Sequence, residues 1–243
     1  MQVKSLLYGM VESLEACNYH WKVAKFRPDS IKTIQTRYPA IYRKVYEDLL
    51  DAGTNNRSVF GNEYRLEGGL QLQQRPSEFA ALITMLISRR PFSNYLEIGA
   101  ASGGTCCMLN RYLAPEKIFV IDNGSHVDTR SLATNLPPEK TIRFTGDSHS
   151  AEAATFLKTH LDGLVDLAFI DGDHSYLGVW QDLATVCIFS RIGTLFVFHD
   201  IVVTGVRRCW REAVSGGLLK PIGVFVDQYH PLGLGLAEFM GRS

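Results

Sequence analysis

Short apolar runs alternate with amphipathic stretches from residue 94 onward, and this alternation constrains the fold more than any other feature of the sequence. Strands that alternate with helices predict a parallel sheet with helices packed on both faces. The expected strands cover 95–99, 117–122, 141–146, 165–171 and 193–200. The expected helices lie near 103–113, 126–135, 149–161, 175–190 and 204–215.

Two further strands, 221–227 and 234–240, close this region. The segment QYHPLG that joins them is too short for a helical crossover, so the two strands must pair antiparallel. We therefore predict an α/β fold, with a doubly wound sheet of seven strands whose last strand is antiparallel.

Residues 1–92 show a helical periodicity instead. Apolar side chains recur every three or four residues from Ile31 to Leu49, and Pro76 begins a second helix with an apolar face. A polar, glycine-rich stretch between them predicts a loop. Because the helical pattern gives way to a strand near residue 92, we divide the chain into an N-terminal helical extension, 1–92, and a second domain, 93–243. The extension suits a lid over a site or a dimer interface, and the sequence does not separate the two.

The first strand ends in Glu97, and the glycine-rich turn from Gly99 to Gly103 follows it. Ligands of open α/β sheets bind outside the carboxyl ends of the strands. Glycine there lets the backbone approach a ligand closely, and the next helix offers free N–H groups. Such turns also form where a helix only packs closely against a strand. This turn alone therefore does not establish a ligand site, and the residues at the other strand ends are needed as well.

Carboxylates also end the second and third strands. Asp122 suits a ribose, because one carboxylate accepts hydrogen bonds from both hydroxyls of the diol. Asp147 and Ser148 end the third strand. An aspartate at such a position often caps a helix instead, which is worth about 1 kcal/mol. Carboxylates at three successive strand ends favour a binding site over three independent caps.

The fourth and fifth strands end in Asp171 and in His199-Asp200, and His174 follows Asp171 closely. Asp171 and Asp200 supply oxygen ligands that could hold Mg²⁺. His174 is a candidate general base, because the pKa of imidazole lies near physiological pH. Alternatively, His174 caps the helix that begins at Ser175 or donates to Asp200. For His199 both a structural role and ligation stay open, since Mg²⁺ prefers oxygen.

The charge balance excludes some classes of partner. The 25 Lys and Arg residues match the 25 Asp and Glu residues, so the chain lacks the basic surplus of nucleic-acid binders and of membrane-surface proteins. Residues 1–92 hold 13 basic and 9 acidic side chains, whereas 93–243 hold 12 and 16. The acidic surplus therefore lies in the part with the strand ends. The five cysteines form no C-x-x-C pair, which indicates reduced thiols and a cytoplasmic location.

The motifs YLEIGAASGGT, VID, GDS, VDLAFIDGDHSY, FVFHDI and GVRRCWRE together resemble those of class I S-adenosylmethionine-dependent methyltransferases, over about residues 93–243. The similarity is strongest to small-molecule O-methyltransferases of the catechol type and of the sugar- or antibiotic-tailoring type. The resemblance implies a Rossmann-like sheet in which the seventh strand inserts beside the sixth, with S-adenosylmethionine as the cofactor.

The resemblance also implies a role for each matching position. The first motif surrounds the methionine moiety, Asp122 binds the ribose, and Asp147 lies near the adenine. His174 falls where the catechol-type enzymes have a lysine base. His199-Asp200 falls where they have a second pair of metal ligands, and the histidine departs from their carboxylate or amide. The implied cofactor-binding residues are Glu97, Gly99, Ala100, Ser102, Gly103, Asp122, Asn123, Asp147, Ser148 and Asp171; the implied catalytic residues are His174 and His199, and the implied metal ligands are Asp171 and Asp200.

We therefore expect an S-adenosylmethionine-dependent methyltransferase that acts on a hydroxyl oxygen of a small molecule such as a sugar, a phenol or a natural product, with Mg²⁺ as an optional aid. The expected partners are this acceptor and a second copy of the chain, and neither nucleic acid nor a membrane is expected. An NAD-dependent dehydrogenase is a second hypothesis, although Ala101 stands at the second glycine of G-x-G-x-x-G. A cofactor-binding scaffold without catalysis is a third. The acceptor atom, oxygen or nitrogen, stays open.

Overall fold

A computed structural model describes residues 26–52, 72–89, 91–125, 132–229 and 232–241. Its strands form one mixed sheet of seven strands in the order β3-β2-β1-β4-β5-β7-β6. The strands are β1 Asn94–Ile98, β2 Lys117–Asp122, β3 Thr141–Thr145, β4 Val165–Ile170, β5 Ser190–Phe198, β6 Leu219–Phe225 and β7 Leu234–Phe239. All seven predicted strands are present, and β5 and β6 begin a little earlier than expected.

The order in which strands are added to the sheet reverses between β1 and β4. β1 pairs in parallel with β2 on one side and with β4 on the other, so that Glu97 lies between Val120 and Phe169. β7 runs antiparallel to both of its neighbours, β5 and β6. The predicted Rossmann-like, doubly wound sheet with an antiparallel last strand is confirmed. A crevice that binds ligands forms at such a reversal point, outside the carboxyl ends of the strands.

Helices cover both faces of the sheet. They are α1 Ile31–Arg37, α2 Pro39–Asp51, α3 Pro76–Ile87, α4 Gly104–Leu113, α5 Leu132–Asn135, α6 Ala151–His160, α7 Tyr176–Ile188 and α8 Thr204–Ser215. Proline begins α2 and α3, where a missing N–H group costs nothing. Among the helices in the described ranges, none combines the length and the apolar character that crossing a membrane requires.

The periodicity from Ile31 to Leu49 predicts one helix, but the structure has two. α1 ends before Tyr38, which leaves the helical region with φ −132° and ψ 54°. Pro39 causes the break, because its ring crowds the preceding residue and its nitrogen has no hydrogen to donate to the previous turn. The loop predicted over 54–69 lies outside the described residues.

The central strands are buried on both faces, and alternate residues of one strand enter opposite cores. On one face, Tyr95 and Phe169 lie in a core built with α1 to α5. On the other face, Leu96 and Phe196 lie in a core built with α6 to α8, where Trp210 is fully buried. The N-terminal helices α1 to α3 therefore share a hydrophobic core with the sheet.

A buried carboxylate ties α3 to one end of the sheet. Glu78 is fully buried, and its oxygens accept hydrogen bonds from the backbone N–H groups of Asp227 (2.7 Å) and Gly233 (2.9 Å). Both donors lie in the connection between β6 and β7. Burial raises the pKa of Glu78, and the two N–H donors oppose that rise. This contact holds α3 against the edge of the sheet where β1 to β5 end.

Phe79 on α3 tests how strongly the shared core stabilises the fold, because its side chain is fully buried there. Phe79→Ala should lower the free energy of unfolding by roughly 3–5 kcal/mol, since it removes apolar contacts and leaves a cavity. Guanidinium denaturation followed by circular dichroism measures the loss. The control is Ile41→Ala at a side chain that is 41% exposed, and it should cost less than about 1 kcal/mol. Equal costs for the two variants would contradict the shared core.

Candidate active site

A cavity of about 610 Å³ opens at the carboxyl ends of β1 to β4, where the strand order reverses. This volume lies within the range of small-molecule sites, roughly 300–1,000 Å³. Each of the four strands contributes its following turn to the lining. The predicted site residues that line the cavity are Gly99, Asp122, Asn123, Asp147, Ser148, Asp171 and His174.

The turn after β1 requires glycine at Gly99. Its φ is +83°, and a Cβ atom there would lie 2.1 Å from the carbonyl oxygen of Asp171 and 2.8 Å from the Cα of Gly172. Any side chain would therefore push apart the turns that follow β1 and β4. Gly103, with φ +81°, closes the turn before α4 begins. Backbone thus forms the wall of the cavity here, as a close approach to a cofactor requires.

Asp122, at the end of β2, holds the turn after β1 in place. Its Oδ2 accepts a hydrogen bond from the backbone N–H of Ala101, and its Oδ1 accepts one from Gly124, each at 2.8 Å. A carboxylate has further lone pairs, so Asp122 can still accept bonds from two hydroxyl groups. The neighbouring Asn123 accepts a hydrogen bond from the N–H of Ser125 at 2.9 Å, which shapes the next turn.

Asp182 of α7 holds the turn after β3 in place. Ser148 donates a hydrogen bond to Asp182 at 2.7 Å, and His149 Nε2 lies 3.1 Å from the same carboxylate oxygen. Asp182 is fully buried, and burial raises its pKa to about 6. Asp147 accepts a hydrogen bond from the N–H of His149 at 2.9 Å. Asp147 and Ser148 therefore face the cavity from a turn that Asp182 positions.

The turns after β4 and β5 bring two carboxylates and two imidazoles together. Asp171 Oδ1 lies 2.8 Å from His199 Nδ1 and 3.2 Å from His174 Nε2. Asp200 Oδ2 lies 3.4 Å from His174 Nδ1 and 3.5 Å from His199 Nδ1. Asp171 and His174 line the cavity, whereas His199 and Asp200 are buried and do not. We call these four residues the Asp–His cluster.

Opposite charges set the pKa values in the Asp–His cluster. The hydrogen bond to Asp171 raises the pKa of His174. Burial lowers the pKa of His199, but the charge of Asp171, the hydrogen bond to it and the charge of Asp200 together outweigh burial and raise the pKa to about 9. Burial raises the pKa of Asp171, but the charge of His199 and the other contacts with the two histidines lower it overall. At neutral pH the cluster therefore pairs the Asp171 carboxylate with the His199 imidazolium, which makes burial of both tolerable.

The helix after His174 has its own cap. The hydroxyl of Ser175 accepts a hydrogen bond from the N–H of Gly178 at 3.1 Å, so His174 is not the cap of α7. Asp173 accepts a hydrogen bond from the N–H of Ser175 at 2.8 Å. The His174 ring therefore contacts two carboxylates, those of Asp171 and Asp200. The contact with Asp200 is the one that the sequence offered as an alternative role for His174.

Four of the predicted cofactor residues lie beneath the cavity wall instead of on it. Glu97 is 1% exposed and accepts a hydrogen bond from the hydroxyl of Tyr95. Burial raises the pKa of Glu97 to about 8. The carbonyl of Ser102 accepts a hydrogen bond from the Asn135 side chain at 2.9 Å. The residues in this group are Glu97, Ala100, Ser102 and Gly103. They belong to the end of β1 and the turn that follows it, but they do not line the cavity.

Sequence patterns did not point to three residues of the site. Gln73 lines the cavity from the segment before α3, and no local signal marks it. Asp182 lies in the middle of a helix, far from any strand end. His149, which also lines the cavity, follows Asp147 by two residues. The position of His149 two residues after Asp147 is a local signal, whereas Gln73 and Asp182 need the tertiary structure.

The Asp–His cluster has the spacing of a cation site but not the donor set that Mg²⁺ prefers. One ligand atom from each of the four residues lies within 4.8 Å of all the others. Mg²⁺ binds through oxygen and keeps several of its waters. Two of the four donors here are imidazole nitrogens, which suit other metals better. The residues present therefore do not fit Mg²⁺.

Comparison with known proteins agrees with this geometry. Residues 96–201 match a family model described as a methyltransferase domain. The O-methyltransferase TomG from Streptomyces achromogenes, solved with S-adenosylmethionine, is 19% identical with a TM-score of 0.58, over 80% of this chain and 90% of that chain. An O-methyltransferase from Bacillus cereus, solved with S-adenosylhomocysteine, is 15% identical with a TM-score of 0.57, over 81% and 90%.

The fold is also shared by an enzyme that methylates nitrogen. The N-methyltransferase NodS from Bradyrhizobium japonicum is 16% identical with a TM-score of 0.52, over 82% of this chain and 99% of that chain. No curated protein matches the sequence. The structural likenesses therefore establish the fold and leave the acceptor atom open.

The domain match, the sheet order and the glycine turn at the reversal point confirm the class that the sequence predicts. The chain has the class I methyltransferase fold, and residues 96–201 are similar to a methyltransferase domain. The match sets aside the NAD-dependent dehydrogenase, and the antiparallel β7 agrees with this choice.

Gly99→Ala tests the close approach of the turns after β1 and β4. We expect it to abolish S-adenosylmethionine binding in calorimetry, because the added methyl group overlaps the Asp171 carbonyl and moves the cavity wall. The control is Gly217→Ala, where φ is +80° but nothing lies within 4 Å of the added Cβ. That variant should keep its affinity and lose only about 1–2 kcal/mol of stability to the left-handed backbone. Full affinity in Gly99→Ala would contradict the proposed cavity wall.

Glu97 should make the stability of the protein depend on pH. Its pKa rises from an ordinary value near 4.5 to about 8 on folding, so the folded state binds more protons between these limits. The resulting stabilisation is complete below about pH 4.5, and roughly 3–5 kcal/mol of it is lost as the pH rises to about 8. Denaturation at pH 5, 6.5 and 8 should show a flatter profile for Glu97→Gln than for the exposed control Glu116→Gln. Parallel profiles would contradict the shift.

Proposed function

We propose that this enzyme transfers the methyl group of S-adenosylmethionine to a hydroxyl oxygen of a small molecule such as a sugar, a phenol or a natural product. The observation that carries the proposal is the position of His174, which lines the cofactor-sized cavity and contacts two carboxylates. TomG and the Bacillus cereus protein are O-methyltransferases, which supports oxygen as the acceptor atom.

The cofactor occupies the cavity in an orientation that the strand ends suggest. Asp122 accepts the ribose hydroxyls, Asp147 and Ser148 lie beside the adenine, and the turn at Gly99 borders the methionine moiety. This places the sulfonium near Asp171. The negative charge of that carboxylate favours the cationic S-adenosylmethionine over its neutral product, S-adenosylhomocysteine. Support for this orientation comes from the cavity lining, which includes each of these residues.

His174 then removes the proton of the acceptor hydroxyl. Methyl transfer needs the acceptor oxygen in line with the methyl group at near-attack distance, and it needs the hydroxyl proton removed. The His174 side chain is 39% exposed, so an acceptor can reach it. Asp171 orients the ring and stabilises the imidazolium that forms, much as a carboxylate does in other histidine-based catalysis. His199 donates to the same oxygen of Asp171 and keeps that carboxylate in place.

The N-terminal extension, residues 1–92, acts as a lid over the acceptor side in this proposal. Gln73 supports this role over a dimer element, because it lines the cavity just ahead of α3.

We also propose that the protein works in the cytoplasm. Cys106, Cys107 and Cys209 are free thiols in the part of the chain that the structure describes, which suits a reducing compartment.

Replacing His174 tests the proposed chemistry. His174→Ala should lower turnover by about 100-fold or more, because general-base catalysis contributes at least that factor, while the affinity for S-adenosylmethionine stays within about threefold. Wild-type turnover should rise with pH and reach half its maximum above about pH 6.5, because Asp171 raises the pKa of His174. A panel of phenols and sugars, assayed by formation of S-adenosylhomocysteine, supplies the acceptor.

His160→Ala is the matched control, since His160 is exposed on α6 and does not line the cavity. It should leave both turnover and affinity unchanged. Full turnover in His174→Ala would remove His174 from the mechanism. No binding of S-adenosylmethionine by the wild-type protein would overturn the proposed function itself.

A further inference from the structure

Asp182, in the middle of α7, is fully buried and does not line the cavity, yet it contacts residues that do. We propose that Asp182 is a positioning residue for the cofactor: without touching it, Asp182 acts through Ser148 and His149 to fix the part of the cavity wall that follows β3. The inference rests on the proposed function, because it takes the cavity to be the cofactor site. It adds a residue outside the cavity on which cofactor affinity depends.

A single oxygen of Asp182 holds two residues of the cavity wall. Its Oδ1 accepts a hydrogen bond from the Ser148 hydroxyl at 2.7 Å and lies 3.1 Å from His149 Nε2. The same nitrogen of His149 lies 3.1 Å from the carbonyl oxygen of Gly178. Because Nε2 faces two acceptors, it carries a hydrogen, and the two contacts fix the orientation of the His149 ring. The buried carboxylate therefore determines how both side chains stand at the cavity.

The other oxygen of Asp182 faces the turn after β4. A Cβ atom at Gly172 would lie 3.0 Å from Oδ2, so the carboxylate packs directly against this glycine, which also lines the cavity. Oδ2 has no hydrogen-bond partner among the residues that the structure describes. A buried polar atom without a partner costs stability. Such a cost is typical of a residue whose position serves a functional site more than it serves the stability of the fold.

The charges around Asp182 come from three neighbouring elements. Burial raises the pKa of Asp182 to about 6; the Ser148 hydrogen bond and the charge of His149 after β3 lower it, and the charge of Asp173 after β4 raises it. On α8, burial and nearby carboxylates, Asp182 among them, raise the pKa of the Cys209 thiol. The folded protein thus binds the Asp182 proton more tightly than the unfolded chain, and the stability that this adds is lost as the pH rises through about 6. Above that pH the ionised carboxylate costs stability but forms charge-assisted bonds to its two partners.

Two substitutions separate the charge of Asp182 from its role as an acceptor. Asp182→Asn keeps an oxygen acceptor and loses the charge, so at pH 8 it should weaken S-adenosylmethionine binding about three- to tenfold in calorimetry. Asp182→Ala removes the acceptor and should weaken binding by about tenfold or more. In a Ser148→Ala/His149→Ala background, Asp182→Ala should weaken binding less than about twofold, because the residues through which it acts are gone.

Thermal unfolding distinguishes a positioning role from a purely structural one. At pH 8, Asp182→Asn should unfold at a temperature no lower than wild type, since it removes a buried charge. The matched control is Asp166→Asn at the amino end of β4, where Asp166 accepts hydrogen bonds from the N–H groups of Ser93 (2.8 Å) and Asn94 (3.0 Å). That variant should unfold at a lower temperature and bind the cofactor with wild-type affinity. The two carboxylates should therefore differ in both measurements.

The pH profile of cofactor binding gives a third readout. Wild-type affinity should fall about three- to tenfold more than that of Asp182→Asn between pH 8 and pH 5, because Asp182 takes up its proton below about pH 6 and then holds His149 more weakly. The Asp166→Asn control should follow the wild-type profile.

The proposal is overturned if Asp182→Asn and Asp182→Ala both bind S-adenosylmethionine as wild type does, or if Asp166→Asn loses affinity to the same extent. Circular dichroism checks folding: if only Asp182→Ala fails to fold, Asp182→Asn decides, and failure of Asp182→Asn to fold makes the residue a structural one and also overturns the proposal. Wild-type protein that binds no cofactor rejects the proposed function together with this inference. Equal binding by wild type and both variants rejects this inference alone.

Discussion

The contact between the turns after β1 and β4 is the constraint on which the whole site depends. Gly99 lies so close to the carbonyl of Asp171 that no Cβ atom fits between them. The same contact sets the position of the cofactor turn and of the carboxylate that orients His174. Asp122 braces this turn from the neighbouring strand through the N–H of Ala101. The proposed cofactor binding and the proposed proton transfer therefore depend on the same piece of backbone at the reversal point of the sheet.

The acidic surplus of residues 93–243 does not act as one negative surface, because each carboxylate has its own environment. Asp122 is held by backbone N–H groups and stays open to the cavity. Asp171 is paired with imidazoles; burial raises its pKa, but the charges and hydrogen bonds of His199 and His174 together outweigh burial and lower it. Glu97 is buried beside Tyr95, and burial raises its pKa to about 8. The same functional group therefore serves for hydrogen bonding, for ion pairing and as a neutral buried acid.

Features that depend on a few consecutive residues could be predicted from the sequence. Apolar β-branched runs give strands, a short connection forces β7 to run antiparallel, and a glycine turn follows β1. Pro39 was an equally local signal, yet the apolar periodicity around it concealed the break between α1 and α2. Helical periodicity reports which face is buried and is insensitive to a single missing N–H group, so it does not reveal a break that one proline causes.

The sequence by itself determined the class of fold, the antiparallel pairing of the last two strands and the residue types that stand at the carboxyl ends of the strands. Only the tertiary structure decided which of these side chains reach the cavity, because that depends on the register and packing of distant segments. It buried Glu97 and turned His199 toward Asp171, and it brought Asp182 from the middle of α7 beneath Ser148. Distances of about 3 Å between residues far apart in the chain and the pKa shifts that burial causes arise only once the sheet and helices have packed.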